Sequence, residues 1–213
     1  MLYTQTVSNT ALELLKELML DKILNDFVLV GGTALSLQIG HRLSIDLDLF
    51  STKPFDAEQI AEHLKTTYAY QLDFIAKNTL KGEISGVKVD CITHNYKWIK
   101  EIKQKDNIRM ADLIEIAAMK LNAITTNRTR IKDFIDIAYL SNNLTLNQML
   151  QAYELKYENN MIMALKSLFY YDEVNHLEPI KMFKRVYNWE CIKTRLSAMN
   201  NEPNKTFKST DTL

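Results

Sequence analysis

The sequence has little glycine, proline or cysteine, no net charge and no long hydrophobic run. Five glycines and three prolines in 213 residues exclude a collagen-like or low-complexity chain. Two cysteines are too few for a disulfide framework or a cysteine zinc site. The 26 basic and 26 acidic side chains balance, which argues against broad adsorption to nucleic acid. No apolar run approaches the roughly 20 residues that span a bilayer, so we expect a cytoplasmic protein without a signal peptide or membrane segment.

What the sequence does contain changes in character along the chain. Hydrophobic residues make up 46% of it, enough for a sizeable core in one or two domains. Helical and strand patterns mix in the first part, a lysine-rich connector runs from His94 to Arg109, and helical periodicity fills the remainder. We therefore predict an α+β protein, with a first domain at residues 1–95 and a helical region at 96–213. The connector reads as a solvated linker, with an RNA-binding track as the alternative.

A glycine turn is the first candidate functional feature. The apolar run Phe27–Val30 ends at Gly31 and Gly32, and a short helical pattern follows. This order predicts a buried strand, a tight turn and a helix N-terminus, whose N–H groups favour phosphate. Thr33 would either cap that helix or contact a phosphate oxygen. The turn lacks the lysine of a P-loop and the spacing of a dinucleotide-binding fingerprint, so both of those folds are disfavoured.

Apolar and polar residues then alternate strictly from Arg42 to Asp48, which predicts a half-buried strand. Its apolar face would be Leu43, Ile45 and Leu47, and its polar face Arg42, Ser44, Asp46 and Asp48. Two carboxylates about 6 Å apart repel by roughly 2–3 kcal/mol at an effective dielectric near 20. A hard cation such as Mg²⁺ or Mn²⁺ would turn that repulsion into affinity. Arg42 and Ser44 share the carboxylate face and could reach the phosphates of a bound nucleotide.

A third carboxylate, Asp90, lies in the last of three further strand patterns. These patterns are Gln71–Lys77, Thr79–Ile84 and Val87–Ile92. If the last strand neighbours the first, Asp90 joins Asp46 and Asp48 on one surface. Three carboxylates suit a two-metal centre for phosphoryl transfer. The alternative is that the aspartate pair merely lines the solvent face of an antiparallel sheet.

Two groups of residues together resemble the AbiEii/AbiGii nucleotidyltransferase toxins of the DNA polymerase β-like superfamily. The first group is Gly31–Leu35, Gly40–Arg42, Ser44 and Asp46–Phe50. The second group is Ala118–Ile124, Arg128 and Lys132–Asp136. The similarity extends over about Phe27 to Leu140.

The resemblance implies a polymerase-β-like core, a mixed sheet with helices, followed by a helical C-terminal half. It also implies an enzyme that uses Mg²⁺ or Mn²⁺ to transfer a nucleoside monophosphate from an NTP to an acceptor hydroxyl. RNA, including tRNA, or protein would supply that hydroxyl. Relatives act as toxins in toxin–antitoxin or phage-defence pairs, so a cognate antitoxin protein is the implied partner.

Site roles follow from the same resemblance. Asp46 and Asp48 would hold the metals, and Asp90 would complete the site and help deprotonate the acceptor. The turn residues Gly31, Gly32 and Thr33 would cradle the triphosphate. In the helical part, the resemblance implies that Lys120 is catalytic. It implies nucleotide binding for Arg128, Lys132, Asp133 and Asp136. The three cations would face the triphosphate and the two aspartates would orient them; ordinary ion pairs on helix surfaces are the alternative.

Two other functions stay open on the sequence alone. The first is a nucleotidyltransferase that modifies a small molecule, such as an aminoglycoside; a cationic drug would favour an acidic acceptor cleft. The second is a catalytically silent module of the same fold that binds a partner protein. The intact carboxylate set argues against the silent module, because such a protein would gain stability by losing the repulsion.

Overall fold

The computed structural model describes residues 1–208 and residue 213, in two compact units, Met1–Asp112 and Leu113–Leu213. The strands described in the first unit are β1 Val28–Leu29, β2 Leu47–Ser51, β3 Gln71–Ala76, β4 Thr79–Ile84, β5 Val87–Thr93, β6 Lys103–Lys105 and β7 Ile108–Met110. Its α-helices are α1 Asn9–Leu20, α2 Gly31–Ile39 and α3 Ala57–Tyr68. The second unit has α4 Leu113–Thr126, α5 Ile131–Leu140, α6 Leu146–Tyr157, α7 Met161–Leu168 and α8 Trp189–Asn201. Across residues 1–208 and 213, no helix has both the length and the apolar character needed to cross a membrane.

One mixed sheet organises the first unit, in the order β3-β4-β5-β2-β1-β7-β6. Strands β3, β4 and β5 form the antiparallel series expected from their turn spacing. Strand β5 then runs parallel to β2, and β2 pairs antiparallel with β1. The predicted α+β class and mixed sheet are confirmed.

Alternating burial identifies the core face of the sheet. Along β4, Leu80 and Ile84 are buried while Lys81 between them is exposed; along β5, Val89 is fully buried and Lys88 is exposed. Helix α3 packs against β3 and β4 on the side of the buried residues. The opposite side of these strands carries the polar and exposed side chains, including the predicted site residue Asp90.

The predicted strand from Arg42 to Asp48 is wrong at its start, because β2 begins only at Leu47. Leu43 and Ile45, placed on the core face by the alternation, are 38% and 65% exposed, whereas Arg42 is buried. A hydrogen bond that is not part of a strand pairing holds this segment: the Ser44 N–H donates to the Thr6 carbonyl at 3.0 Å. The segment is therefore a loop fixed to neighbouring elements, and its alternation is not a burial pattern.

The lysine-rich connector also differs from its prediction. Part of it forms the hairpin β6–β7, which joins the sheet through the pairing of Leu29 with Met110. Arg109 points inward and donates hydrogen bonds to the backbone carbonyls of Met19, Leu24 and Phe27. Because the hairpin belongs to the sheet, the first compact unit continues to Asp112 rather than ending at the predicted residue 95.

Helices fill the second unit, as the sequence predicts for the C-terminal half. Thr145 and Gln148 form a capping box at the start of α6. An ion pair that the sequence analysis did not identify joins α4 to α6. In it, Lys156 contacts Glu115, and the two side chains are 0% and 1% exposed.

Candidate active site

The glycine turn lies directly against one of the predicted metal ligands. Helix α2 begins at Gly31 with φ +68°, and a Cβ atom on Gly31 would lie 2.3 Å from Asp48 Oδ2. The Val30 N–H also donates to the Asp48 carbonyl at 2.9 Å. Glycine is therefore required at residue 31 for two reasons, the left-handed backbone and the close carboxylate.

Behind the turn, Arg42, Ser44 and Thr33 hold the following loop in place. A Cβ atom on Gly32 would lie 2.5 Å from an Arg42 guanidinium nitrogen and 3.0 Å from Ser44 Oγ. The fully buried Thr33 hydroxyl donates to the Asp46 carbonyl and lies 2.9 Å from Ser44 Oγ. In this structure the Thr33 side chain thus orders the loop that precedes β2, while Arg42 places positive charge beside the turn.

Two of the three predicted carboxylates come from neighbouring strands, and the third comes from the loop before β2. Asp48 on β2 is the direct register partner of Asp90 on β5, so the two side chains leave the same face of the sheet. Asp46 lies just before β2 and is exposed. Burial raises the pKa of Asp90, and the negative charge of Asp46 raises it further, against the opposing charge of Lys81. The register places Asp48 and Asp90 on one surface; the place of Asp46 in a shared metal site stays a prediction.

These carboxylates are suitable ligands for a divalent metal, although their side chains do not form a preorganised coordination site. Across residues 1–208 and 213, no group of three His, Cys, Asp or Glu side chains already surrounds a metal-sized position. The available ligands are oxygens, which hard cations prefer, and the Gly31 backbone leaves room for them beside Asp48. The donor set therefore fits Mg²⁺ or Mn²⁺ better than Zn²⁺ or copper.

Lys81 is the site residue that the sequence analysis missed. It lies opposite Asp90 on β4, and its ammonium is 3.7 Å from Asp90 Oδ2. The sequence signal was the dipeptide Ser85-Gly86 between two strand patterns, which marks a two-residue hairpin turn; in the structure both residues have positive φ, as such a turn requires. Such a turn fixes the pairing of the two strands and so places Lys81 beside Asp90.

In the second unit, Lys120, Asp133 and Asp136 form a compact buried cluster. The Lys120 ammonium lies 2.6 Å from Asp133 Oδ1 and 2.8 Å from Asp136 Oδ2, and all three side chains are almost fully buried. Arg130 Nε approaches Asp133 Oδ2 at 3.4 Å. Within this unit the structure thus brings together three residues from the second resembling segment.

The other two predicted cations also contact residues of the second unit. The Arg128 guanidinium lies over the Tyr170 ring at 5.2 Å from its centroid. The Lys132 ammonium pairs with Glu178 at 2.8 Å, with both side chains about one-third exposed. Their predicted roles at a triphosphate stay predictions.

Comparison with known families identifies the chain. A family model described as the nucleotidyl transferase AbiEii toxin of type IV toxin–antitoxin systems matches residues 13–105 and 69–190. The chain belongs to this AbiEii family. It is therefore a nucleotidyltransferase, as the resemblance of its glycine turn and carboxylates indicated. The uncharacterized protein aq_aa25 from Aquifex aeolicus is 31% identical over 158 residues, covering 71% of this chain and 76% of that protein.

Solved structures support the AbiEii assignment at the level of the fold. JHP933 from Helicobacter pylori matches with a TM-score of 0.56 and 17% identity over 92% of each chain. The antibiotic-resistance factor ANT(2'')-Ia matches with a TM-score of 0.51 and 14% identity, covering 68% of this chain and 91% of the other. Identities this low establish a shared fold and leave the substrates to be argued from the site.

Replacing Gly31 by alanine tests whether the glycine turn positions Asp48. The added Cβ would displace the Asp48 carboxylate, and a misplacement near 1 Å at a reacting centre costs about 100-fold in rate. We therefore expect nucleotidyl transfer by Gly31→Ala to fall about 100-fold, measured as labelled product formed.

Gly86→Ala is the matched control for this change. Gly86 has a similar φ of +76°, but a Cβ there would meet nothing within 4 Å, so the variant carries the backbone strain without the clash. Wild-type transfer by Gly86→Ala and equal losses of thermal stability in both variants would assign the effect to Asp48. Equal transfer by both variants would contradict it.

Proposed function

We propose that this protein transfers a nucleoside monophosphate from an NTP to an acceptor hydroxyl in a reaction that requires Mg²⁺ or Mn²⁺. The observation that carries the proposal is the pairing of Asp48 with Asp90 on neighbouring strands. Beside this pair lies the glycine turn, where a Cβ atom on residue 31 would clash with the Asp48 carboxylate. Asp46, Asp48 and Asp90 would hold the metal. When bound, it would neutralise the phosphate oxygens and make the acceptor hydroxyl more acidic.

The transfer exchanges one phosphorus–oxygen bond for another. The acceptor oxygen attacks the α-phosphorus, and the bond from that phosphorus to the oxygen bridging the β-phosphate breaks. Pyrophosphate leaves with the electron pair, and the hydroxyl proton passes to a carboxylate oxygen of Asp90.

The glycine turn supplies the triphosphate contacts. Helix α2 starts at Gly31, and within the described residues no side chain caps its N-terminus. The N–H groups of Gly31 and Gly32 can therefore face phosphate oxygens, supported by the nearby guanidinium of Arg42 and the hydroxyl of Ser44. In the second unit, the residues proposed for nucleotide binding on the family resemblance are Lys120, Arg128, Lys132, Asp133 and Asp136.

The proposed biological role is that of the toxin in a toxin–antitoxin or phage-defence pair. The family description supports this role, since the matching model is that of a type IV toxin. The acceptor would be RNA, including tRNA, or a protein, and a cognate antitoxin protein would be the natural partner. The need for NTPs favours activity in the cytoplasm.

Labelling is the direct test of this function. The protein is incubated with Mg²⁺ and each α-phosphate-labelled NTP in turn, together with total RNA, total protein or an aminoglycoside. We expect label from one NTP to enter RNA or protein, and EDTA to abolish the transfer. Label on the aminoglycoside would instead support the small-molecule enzyme. Absence of any transfer, with no NTP binding in calorimetry, would overturn the proposal in favour of a silent binding module.

A further inference from the structure

The row of site residues continues beyond Asp90 to the edge of the sheet. Asp48 lies opposite Asp90, Asp90 opposite Lys81, and Lys81 opposite Phe74 on the edge strand β3. Residues directly opposite each other on paired strands project from the same face. We call these four side chains, Phe74, Lys81, Asp90 and Asp48, the acceptor row.

A β-bulge places Phe74 in this row. Leu72 lies opposite Gly82, but the next paired residue of β3 is Phe74 opposite Lys81, so one residue between them is unpaired. With regular pairing Phe74 would lie opposite Leu80, whose side chain is fully buried on the face that α3 covers. The bulge thus turns an aromatic ring from the core face to the outer face. Bulges of this kind occur preferentially beside active sites, where they redirect a side chain.

The ring and the ammonium at this end of the row are accessible. Phe74 is 52% exposed and the Lys81 side chain 47% exposed, whereas the Asp90 side chain is 27% exposed. Because the bulge turns the ring away from the core face, about half of its surface is free to contact a ligand.

The spacing suits one end of a single-stranded nucleic acid. Neighbouring strands are about 4.8 Å apart, which puts Lys81 one spacing and Phe74 two spacings, roughly 10 Å, from the strand of Asp90. One nucleoside with its phosphate spans such a distance. Surfaces that bind single strands combine cationic side chains with aromatic rings on which the bases stack.

We propose that Phe74 and Lys81 bind the acceptor of the transfer, the end of a single-stranded nucleic acid. A base stacks on Phe74, the adjoining phosphate pairs with Lys81, and the terminal hydroxyl reaches Asp90. This assignment rests on the proposed nucleotidyl transfer and names its acceptor class. It adds no chemical step: the terminal oxygen attacks the α-phosphorus, pyrophosphate leaves, and Asp90 takes the proton.

Two lysines near the outer end of the acceptor row can contact a phosphate. Beside Lys81, the same face of β5 carries Lys88, which lies opposite Glu83. A polycationic drug would meet these two lysines next to Asp90, whereas a phosphate would be attracted to them. The Lys81 ammonium lies 3.7 Å from Asp90 Oδ2. A phosphate bound at Lys81 would compete with Asp90 for that ammonium, so that the Asp90 carboxylate could accept a hydrogen bond from the acceptor hydroxyl instead.

Binding of a dye-labelled single-stranded oligoribonucleotide, followed by fluorescence anisotropy, tests the proposal without requiring turnover. We expect Phe74→Ala and Lys81→Met each to weaken binding about tenfold, since stacking on an aromatic ring is worth about that much or more per base. Phe74→Trp and Lys81→Arg should retain binding. In the transfer assay the loss in Phe74→Ala should appear in the KM for the oligonucleotide, with kcat and NTP binding unchanged, whereas Lys81→Met should also change kcat, because its ammonium lies 3.7 Å from Asp90.

Ile75→Ala is the matched control, because Ile75 is the next residue of the same strand. It is 38% exposed but lies opposite Leu80, on the other face of the sheet. Loss of binding in Phe74→Ala with wild-type binding in Ile75→Ala would support the acceptor row. Wild-type binding in Phe74→Ala, or transfer to protein alone, would overturn it. Oligonucleotide binding that depends on Phe74 without any NTP transfer would instead refute the proposed function and leave the binding surface standing.

Discussion

Asp48→Asn is expected to lower nucleotidyl transfer by about 1,000-fold or more, well beyond the ~10–100-fold typical of residues outside the ligand shell. Asparagine has the shape of aspartate, so the contact with the Gly31 turn is kept while the charge opposite Asp90 is lost. The measurement is the initial rate of labelled product at saturating NTP and Mg²⁺. Calorimetry should show, in parallel, that Mg²⁺ no longer strengthens NTP binding.

Glu83→Gln is the matched control for Asp48→Asn. Glu83 is a carboxylate on the same face of the sheet, but it lies opposite Lys88 and outside the row of Asp48 and Asp90. This variant should keep the wild-type rate. Thermal melting of both variants separates a loss of transfer from a loss of fold. A folded Asp48→Asn variant that transfers at the wild-type rate would contradict the metal assignment.

Much of the site could be predicted because it depends on local pattern. Alternation within Val87–Ile92 fixed the face of Asp90, and the glycines marked the turn beside the following carboxylates. The pairing of β5 with β2 then placed Asp90 opposite Asp48. Strand periodicity gave the face of Asp90 because it acts over a few residues, whereas the pairing of β5 with β2 was only a condition until the structure showed it.

The errors arose where a distant residue decides the local structure. Leu43 and Ile45 alternate with polar residues as in a strand, yet they are exposed because the Thr6 carbonyl and the Thr33 hydroxyl bind the segment as a loop. The outward turn of Phe74 depends on a bulge, which period-two alternation does not reveal. Such features follow from pairing partners far along the chain, and a single sequence carries no local signal for them.

Lys156→Met is expected to destabilise the protein by about 3–5 kcal/mol, because it leaves the carboxylate of Glu115 buried without its countercharge. Urea unfolding followed by circular dichroism measures the loss.

Lys193→Met is the matched control: Lys193 pairs with Glu190 one helical turn away, but these side chains are 33% and 75% exposed, so the change should cost about 1 kcal/mol or less. The double variant Lys156→Met with Glu115→Leu should recover most of the loss, since both charges are then gone. Equal costs for Lys156→Met and Lys193→Met would show that the first pair is not desolvated, and failure of the double variant to recover would show that packing rather than charge holds α4 to α6.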